Sequence, residues 1–370
     1  MKAAASIERL RVSAYTIPTD APEADGTYEC SQTTLVLVEA DAGGRTGIGY
    51  TYASPAAAAL IADGLAKHVL GGDAFSPRAN WDAMFRAVRN NGRRGLAAMA
   101  ISAVDCALWD LKARLLDLSV VDLLGSVRPA VPVYGSGGFT SYSDEQLRVQ
   151  FGGWVSSGIE AVKMKVGTHP ECDVHRVRVA RDAIGQAALF VDANGAYDRK
   201  EAIQMSQVFA EFGVCWFEEP VSSDDLDGLR LVRDRAPAEM EIAAGEYVCD
   251  QTYFRHMIEA EAVDVVQADA TRCGGVTGFL KAAEEIDSFG LPLSAHTSPS
   301  LHGHLCCVAP RARNVEYFHD HVRIESMLFD GALTAQNGLL KPDRAAPGFG
   351  FWFKHGDGKQ FCVYQGESHA

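Results

Sequence analysis

From about residue 129 the chain alternates short, β-branched apolar runs with polar-faced stretches of helical length. Helices are predicted in stretches such as 173–185, 199–213 and 278–290, where apolar residues recur at helical spacing. Strands joined by helical crossovers fit a closed parallel barrel, and an open doubly wound sheet is the competing arrangement. The predicted strands are VPVYG, AVKMKV, ALFVDA, VCWFEE, EIAAGE, VDVVQAD, LPLSAH and NVEYF.

The residues before this alternation combine strand and helix patterns. RLRVSAYTI and TTLVLVEA have β-type composition, and ADAGGRTGIGY indicates a glycine-rich turn into a third strand. The apolar stretch GLAAMAISAVDCALWDLKARLL predicts a long helix that is buried on several sides. We therefore predict an α/β protein in which a barrel follows an α+β region, with the turn-rich tail returning to that first region.

Two lysines interrupt the predicted strand AVKMKVG. Side chains alternate between the two faces of a strand, so Lys163 and Lys165 point one way and Val162, Met164 and Val166 the other. Near the carboxyl end of a barrel strand, the lysine face opens where barrel active sites lie. The alternative is an edge strand that carries two solvated lysines.

The next three predicted strands each end on a carboxylate, namely Asp192, Glu218 and Glu246. Separations of 26 and 28 residues correspond to one strand–helix unit each, so the acids belong to neighbouring strands. Three carboxylates at one barrel mouth repel one another unless a cation binds, and oxygen ligands favour Mg²⁺. The alternative is that they cap helices, but their shared register opposite paired lysines favours the metal.

The last predicted strands add three further polar residues. Asp269 and His296 end adjacent strands, and the acid can orient the imidazole and raise its basicity, although an isolated histidine there is more often structural. Glu316 lies on the final strand. With no lysine or metal assigned to it, this carboxyl group is expected to be held protonated and to donate a hydrogen bond.

Taken together, these residues resemble the mandelate racemase subgroup of the enolase superfamily. The resemblance implies a modified (β/α)7β TIM-type barrel over residues 129–324, under an α+β capping domain of residues 1–128 completed by residues 325–370. It also implies one essential Mg²⁺ on the three acids and a symmetric homo-oligomer. The motifs that carry it, in order, are KMK at 163–165, DAN at 192–194, FEEP at 217–220, AGE at 244–246, DATRCGGVTG at 269–278, SAH at 294–296 and PGFG at 347–350.

Catalytic roles are carried over by the same resemblance. Lys165 matches the family's base on one face of the substrate, and His296 with Asp269 matches the base on the other. Lys163 matches a lysine that helps neutralise the substrate carboxylate, and Glu316 an acid beside its other oxygen. Muconate cycloisomerases and dipeptide epimerases look similar but carry a second lysine where this chain has Asp269, which argues against those branches.

The implied chemistry is Mg²⁺-dependent removal of the proton next to a carboxylate through an enediolate. Lys163 and the metal are both expected to lower the pKa of Lys165, so that it can act as a base. Dehydration of an acid sugar, an aldonate or aldarate, to a 2-keto-3-deoxy acid is the leading prediction. Racemisation, epimerisation or cycloisomerisation is the runner-up. A metal-dependent aldolase and a non-catalytic metal-binding protein are more remote alternatives.

Polar residues of the capping region are expected to determine substrate specificity. The cap loop, TDAPEADGTYE at residues 19–29, and the segment GYTYAS suit a polyhydroxy acid better than an aryl acid, because buried hydroxyls need partners. The alternative is a cap loop that is merely solvated. Predicted substrate contacts are Tyr52 and His319, with His321 and Arg323 as further candidates, and the family resemblance adds Asn194 as a position that can touch the substrate.

Charge and composition exclude some partners. A net charge of −14 disfavours nucleic acid and anionic membrane surfaces, and no apolar run approaches the roughly 20 residues of a membrane span. The 9 cysteines lack CxxC spacing, which indicates reduced thiols in a cytoplasm. No secretion signal is expected in MKAAASIERL, because it lacks an apolar core. A small-molecule carboxylate is therefore the expected partner.

Overall fold

The computed structural model describes residues 5–370. An antiparallel sheet of four strands joins the beginning of the chain to its end, in the order β15-β1-β2-β3. Val12 lies between Val38 and Gly366 in this sheet, so the last strand pairs with the first. The four strands are β1 (Arg9–Ala24), β2 (Glu29–Ala42), β3 (Arg45–Tyr52) and β15 (Cys362–His369).

A closed barrel of eight parallel strands forms the rest of the core. The last barrel strand pairs with the first, Val315 opposite Val133, so the sheet has no open edge. This closure confirms the predicted barrel and rules out the open doubly wound sheet. The barrel strands are β4 (Val131–Gly137), β5 (Ala161–Lys165), β6 (Ala188–Asp192), β7 (Val214–Glu218), β8 (Glu241–Ala244), β9 (Val265–Ala268), β10 (Leu293–Ala295) and β11 (Ala312–Phe318).

Helices cover the outside of the barrel, one in each connection between consecutive strands. Val162 and Met164 of β5 are fully buried in the same hydrophobic cluster as Leu147 and Phe151 of the first of these helices. This is the outward face that strand alternation predicts. The helices between the strands are α5 (Asp144–Ser156), α6 (Pro170–Ile184), α7 (Arg199–Ala210), α8 (Leu226–Arg233), α9 (Gln251–Glu259), α10 (Gly275–Ser288) and α11 (Pro299–Val308), and α12 (His319–Leu328) follows β11.

The remaining elements lie before the barrel and in the tail. Short irregular helices cover Ile61–Leu65, Ala66–His68, Val88–Asn90 and Lys359–Phe361, and no helix of the described residues is both long and apolar enough to cross a membrane. The regular elements are α1 (Ala56–Leu60), α2 (Pro77–Ala87), α3 (Leu96–Leu115), α4 (Val120–Leu124), β12 (Phe329–Asp330), β13 (Leu339–Leu340), β14 (Trp352–Phe353) and α13 (His355–Gly358).

The long predicted helix, α3, joins the antiparallel sheet to the barrel. Its backbone approaches β3 closely, since a Cβ on Gly47 would lie 2.3 Å from the carbonyl oxygen of Ala107. On the barrel side, Asp105 of α3 accepts hydrogen bonds of 2.8 Å from both the backbone nitrogen and the hydroxyl of Thr277. Trp109 donates to the same hydroxyl at 2.9 Å. These buried contacts fix the first region on the barrel.

The cap loop is the end of a hairpin rather than an irregular loop. β1 continues to Ala24, Glu23 pairs with Cys30, and the turn between the strands is made by the Asp25 carboxylate, which accepts from two backbone nitrogens at 2.7 Å. Gly26 lets this turn lie on the barrel mouth, because a Cβ there would lie 2.1 Å from the carbonyl oxygen of Ala193. The hairpin tip therefore covers the carboxyl ends of the barrel strands.

Candidate active site

Strand register brings the predicted polar residues to one level of the barrel. Lys165 pairs with Asp192 across β5 and β6, and Asp192 pairs with Glu218 across β6 and β7. Glu246 lies two residues beyond β8, after a glycine at φ +140° whose Cβ would lie 2.1 Å from the carbonyl oxygen of Gln267. The interior below this level is filled by aromatic rings, with Phe190 and Trp216 stacked at 5.0 Å.

Asp192, Glu218 and Glu246 form a cluster of buried carboxylates. Each offers an oxygen, and these oxygens all lie within 4.8 Å of one another. Burial, together with the Asp192 carboxylate, raises the pKa of Glu218 to about 8 against the opposing effect of Lys163. Such crowding of negative charge, supplied entirely by oxygen ligands, fits a hard divalent cation.

Lys163 lies at the centre of the site and is completely buried. Its Nζ contacts Glu218 and lies 2.8 Å from Glu316 and 3.3 Å from Asp192. Burial alone lowers the pKa of this ammonium, but the Glu218 and Glu316 carboxylates outweigh burial and raise it well above its usual value. Lys163 is therefore a fixed positive charge.

The expectation of a protonated Glu316 that donates a hydrogen bond is wrong. Its Oε1 accepts from the Ser136 hydroxyl at 2.6 Å, and its Oε2 accepts from the Thr297 backbone nitrogen at 3.2 Å. Burial raises the pKa of this carboxyl, but Lys163 and His296 lower it below its ordinary value. The prediction overlooked that Lys163 reaches across the barrel from β5 to β11.

Lys165 lies at the β6 end of the acid cluster. Its Nζ is 2.6 Å from Asp192 Oδ2 and 3.0 Å from the side-chain oxygen of Asn194. The predicted decrease in the pKa of Lys165 assumes Mg²⁺ on Asp192, which would offset the carboxylate charge beside the lysine, and it stays a prediction. Burial and Lys163 lower the pKa, whereas the Asp192, Glu246 and Glu316 carboxylates together raise it above its ordinary value.

His296 and Asp269 form a buried pair at the other end of the cluster. His296 Nδ1 lies 2.8 Å from Asp269 Oδ2, and its Nε2 lies 3.1 Å from Glu246. Thr271 donates to Asp269 Oδ1 from its backbone nitrogen and its hydroxyl, both at 2.7 Å. Burial lowers the pKa of His296, but Glu246 and the other carboxylates around it raise it to about 9.

A single cavity opens onto both ends of this arrangement. Lys165 contacts the first acid of the row, Asp192, whereas His296 contacts the last, Glu246, so the two groups approach from opposite ends. The hairpin contributes Glu23, Asp25, Tyr28 and Cys30 to the lining, and the barrel and its connections contribute Phe139, Lys165, Asn194, Glu246, Tyr247, Arg272, His296, Thr297, Glu316, Phe318 and His321.

The predicted substrate contacts divide into two groups. Asn194 and His321 line the cavity. Tyr52 lies behind His321, with the two rings stacked at 3.5 Å, and His319 contacts Asp20 at 2.9 Å. Neither Tyr52 nor His319 is among the lining residues of the described chain, so both predictions of direct contact lack support. Arg323 likewise pairs outside the cavity lining, with Asp320.

Some residues of the site were missed by the sequence reasoning. Arg272 lies in the quoted DATRCGGVTG motif, and its guanidinium is 3.3 Å from Glu246. Glu219, in FEEP, is buried beside the acid cluster, and burial and Glu246 raise its pKa well above the usual value. The motifs could have indicated both. Glu23 lies within the cap loop that was expected to choose the substrate, although it was not singled out there, whereas Ser136 carries no comparable signal because its contact with Glu316 is distant in sequence.

Comparison with known families accounts for most of the chain. Residues 12–125 match the N-terminal domain of mandelate racemase and muconate lactonizing enzyme, and residues 146–356 match the enolase C-terminal domain-like family. The chain belongs to the mandelate racemase/muconate lactonizing enzyme family. The resemblance inferred from the motifs is thereby confirmed, as is an α/β barrel carrying an antiparallel cap sheet.

Characterised relatives in this family include both dehydratases and cycloisomerases. The chain is 33% identical over 359 residues to 3,6-anhydro-alpha-L-galactonate cycloisomerase of Streptomyces coelicolor, covering 93% of this chain and 96% of the relative. It is 33% identical over 314 residues to L-talarate/galactarate dehydratase of Salmonella typhimurium, covering 83% and 77%. The family assignment therefore identifies an enzyme, of the lyase or the isomerase class.

Solved structures of relatives agree with this assignment. A mandelate racemase/muconate lactonizing enzyme-like protein from Rubrobacter xylanophilus superposes with a TM-score of 0.95 at 50% identity, over 97% of this chain and 100% of that one. L-Talarate dehydratase from Polaromonas sp. JS666, complexed with Mg and L-glucarate, gives 0.88 at 30% identity, over 99% and 100%. Relatives in this family thus bind magnesium.

Proposed function

We propose that this protein is a Mg²⁺-dependent acid-sugar dehydratase, which removes the proton next to a carboxylate and releases a 2-keto-3-deoxy acid. One observation carries the proposal. Lys165 and the His296–Asp269 pair approach a cluster of three carboxylates from opposite ends of one cavity. A reaction that takes a proton from one carbon and protonates a leaving hydroxyl on the next needs two such groups.

The residues present fit a magnesium ion. Asp192, Glu218 and Glu246 would hold it, because their oxygens share one small volume and their crowded negative charge needs a cation. When bound, Mg²⁺ supplies positive charge beside the substrate carboxylate, where negative charge grows as the enediolate forms. Lys163, buried and positively charged, would act on the same carboxylate from the protein side.

The proton transfers are assigned to the two ends of the cluster. Neutral Lys165 would accept the α-proton, and the electron pair of that C–H bond would form the enediolate. As the electrons return, the β-carbon–oxygen bond breaks, and protonated His296 would give its proton to the departing hydroxyl, which leaves as water. The enol that remains tautomerises to the 2-keto acid. The contact of His296 Nδ1 with Asp269 orients the imidazole and stabilises its cationic form, which suits a general acid.

Dehydration can also begin from the histidine end. In that order His296 Nε2 would accept the α-proton, and Asp269 would hold the imidazole in the tautomer that leaves Nε2 free. The two possible orders of proton transfer, with Lys165 or His296 acting first, predict different variants that still exchange the α-proton with solvent deuterium. Exchange in Lys165→Met but not in His296→Asn would assign the first proton transfer to the histidine.

Cycloisomerisation is the second candidate, because a cycloisomerase is the relative that matches 93% of this chain. The same two groups would then open or close a ring across the enediolate, without release of water. Ring opening at the β-carbon–oxygen bond would give a keto acid with the mass of its substrate, whereas dehydration gives a keto acid lighter by one water. The mass of the trapped product would therefore distinguish the two reactions.

The test is a panel of aldonic, aldaric and anhydro sugar acids incubated with the Mg²⁺-loaded protein. Keto acids are trapped with semicarbazide, and ring products are identified by mass and proton spectra. We expect at least one acid to give a keto acid lighter than its substrate by one water, and Lys165→Met and His296→Asn to reduce that release at least about 100-fold. Lys200→Met and His256→Asn, on exposed helix surfaces, are the matched controls. Full turnover in both site variants would refute the assignment.

A further inference from the structure

The cap side of the cavity ends on a buried acid. Glu23, near the tip of the β1–β2 hairpin, is 4% exposed and lines the cavity with Asp25, Tyr28 and Cys30. Its Oε1 is fully enclosed and has no hydrogen-bond partner among residues 5–370. A buried carboxyl oxygen without a partner is costly, so a group that enters the cavity and bonds to it would be favoured.

The surroundings of Glu23 are acidic, and the nearby cations of the described chain are already paired. Arg323 lies against the Asp320 carboxylate, and His319 lies 2.9 Å from Asp20. Burial lowers the pKa of His321 to about 3, so this ring is neutral. A negatively charged substrate group at this end would therefore lie beside carboxylates, and the nearby positive charges of the described chain are already paired with other acids.

Positive groups on the lining lie on the barrel side, and each has a carboxylate partner. Lys165 contacts Asp192, while Arg272 and His296 contact Glu246 at 3.3 and 3.1 Å. The first carboxylate of a substrate belongs at this end, beside the acid cluster that fits Mg²⁺. A substrate bound this way points its far end toward the cap.

We propose that Glu23 binds the far end of the substrate and selects acid sugars with one carboxylate, the aldonates, over the dicarboxylic aldarates. This inference rests on the proposed function, since it assumes that the first carboxylate lies at the metal end. A sugar hydroxyl can donate to Glu23 or accept from it, whichever protonation state the acid has. A second carboxylate only accepts, and it brings a charge into an acidic wall.

The electrostatics of Glu23 point the same way. Burial raises the pKa of Glu23 to about 8, and the Asp320 and Asp20 carboxylates add to this rise against Arg323 and Lys165. The negative potential that holds a proton on Glu23 also acts against an incoming carboxylate.

Direct binding tests the proposal without requiring turnover. Full-length Lys165→Met protein, saturated with Mg²⁺, is titrated calorimetrically with gluconate and glucarate and with galactonate and galactarate, pairs that differ only in the terminal group. We expect each aldonate to bind at least about tenfold tighter than its aldarate. With all titrations at pH 9, above the pKa of Glu23, adding Glu23→Gln, which keeps the shape, should reduce this preference at least about threefold, because the amide lacks the carboxylate charge.

The control is Glu29→Gln on the exposed part of the same hairpin, which should leave the preference unchanged. The ratio of the two dissociation constants is insensitive to partial loss of folded protein, so a structural effect of Glu23→Gln would not imitate the result.

Equal or tighter binding of aldarates, or a preference that Glu23→Gln leaves intact, would overturn this inference but not the proposed function. Discrimination in binding without keto-acid release by unmodified protein would refute the dehydratase and leave the selectivity standing. Absence of binding by all four acids would overturn the inference, whereas the dehydratase is decided separately by keto-acid release from the panel.

Discussion

Replacing Asp269 with asparagine removes one charge from the site and nearly preserves its shape. Two donors from Thr271, both at 2.7 Å, hold the Oδ1 position, so the amide oxygen of the new side chain is expected there. The amide nitrogen then takes the Oδ2 position and faces His296 Nδ1, which lies 2.8 Å away in the unmodified protein. An amide donor at that point forces the imidazole proton from Nδ1 to Nε2.

This change of tautomer sets the size of the effect. With Nε2 protonated, neutral His296 cannot accept a proton from the cavity, and without the adjacent carboxylate its cationic form loses a stabilising partner. General acid–base catalysis contributes about 100- to 10,000-fold, so the Asp269→Asn variant should lose a factor in that range. The corresponding increase in the activation barrier is about 3–5 kcal/mol.

The assay is the initial rate of keto-acid release by Mg²⁺-saturated protein, on the acid sugar that the panel identifies. The matched control is Asp264→Asn at the amino end of the same strand, where the carboxylate holds Arg233 and the Ile242 backbone nitrogen. It should reduce stability but not rate, because barrel active sites lie at the opposite end of the strands.

A double variant provides the sharper criterion. If Asp269 acts through His296, then combining Asp269→Asn with His296→Asn should cost little more than His296→Asn alone. A rate for Asp269→Asn within about threefold of the unmodified protein, or fully multiplicative losses in the double variant, would refute the reasoning.

Three further predictions concern the metal, pH and the cap–barrel contact. EDTA should abolish keto-acid release until Mg²⁺ is restored, and Glu218→Gln should weaken Mg²⁺ binding at least about tenfold by calorimetry; full activity in EDTA would contradict this. Because the pKa of Glu23 is raised from 4.5 to about 8, the folded state binds an extra proton between these values and loses stability as pH rises through them. The free energy of unfolding in urea should therefore be higher for Glu23→Gln than for the unmodified protein by about 1 kcal/mol or more at pH 8, and equal at pH 4.5. A difference that does not change with pH would contradict the raised pKa of Glu23. Thr277→Val leaves Asp105 and Trp109 each without the hydroxyl partner and should cost about 2 kcal/mol in urea unfolding, whereas a loss below about 0.5 kcal/mol would mean the contact is not stabilising.

Much of the site could be predicted because strand geometry is local. Alternation along β5 places Lys163 and Lys165 on one face, and a parallel barrel gathers the carboxyl ends of its strands at one mouth. These two regularities are sufficient to predict that Asp192, Glu218 and Glu246 lie close together. The same reasoning fails for Glu316, whose ionisation depends on a lysine that reaches it across the interior.

Substrate contacts were harder to predict for a related physical reason. Tyr52 and His319 are polar and near the site in sequence terms, yet one stacks behind His321 and the other turns to Asp20. The cavity lies between the cap and the barrel, so the side chains that line it depend on how these two regions dock. The hydrophobic periodicity of either region does not specify that docking.

The sequence by itself determined the barrel, the level of its polar residues and the metal-binding chemistry, because strand period and crossover length act over a few residues. Only the tertiary structure decided the ionisation of Glu316 and the place of Glu23 at the cavity's end. Those properties arise from burial and from charges that are brought together when the barrel closes and the hairpin docks. The spacing of residues along the sequence does not specify barrel closure contacts or hairpin docking.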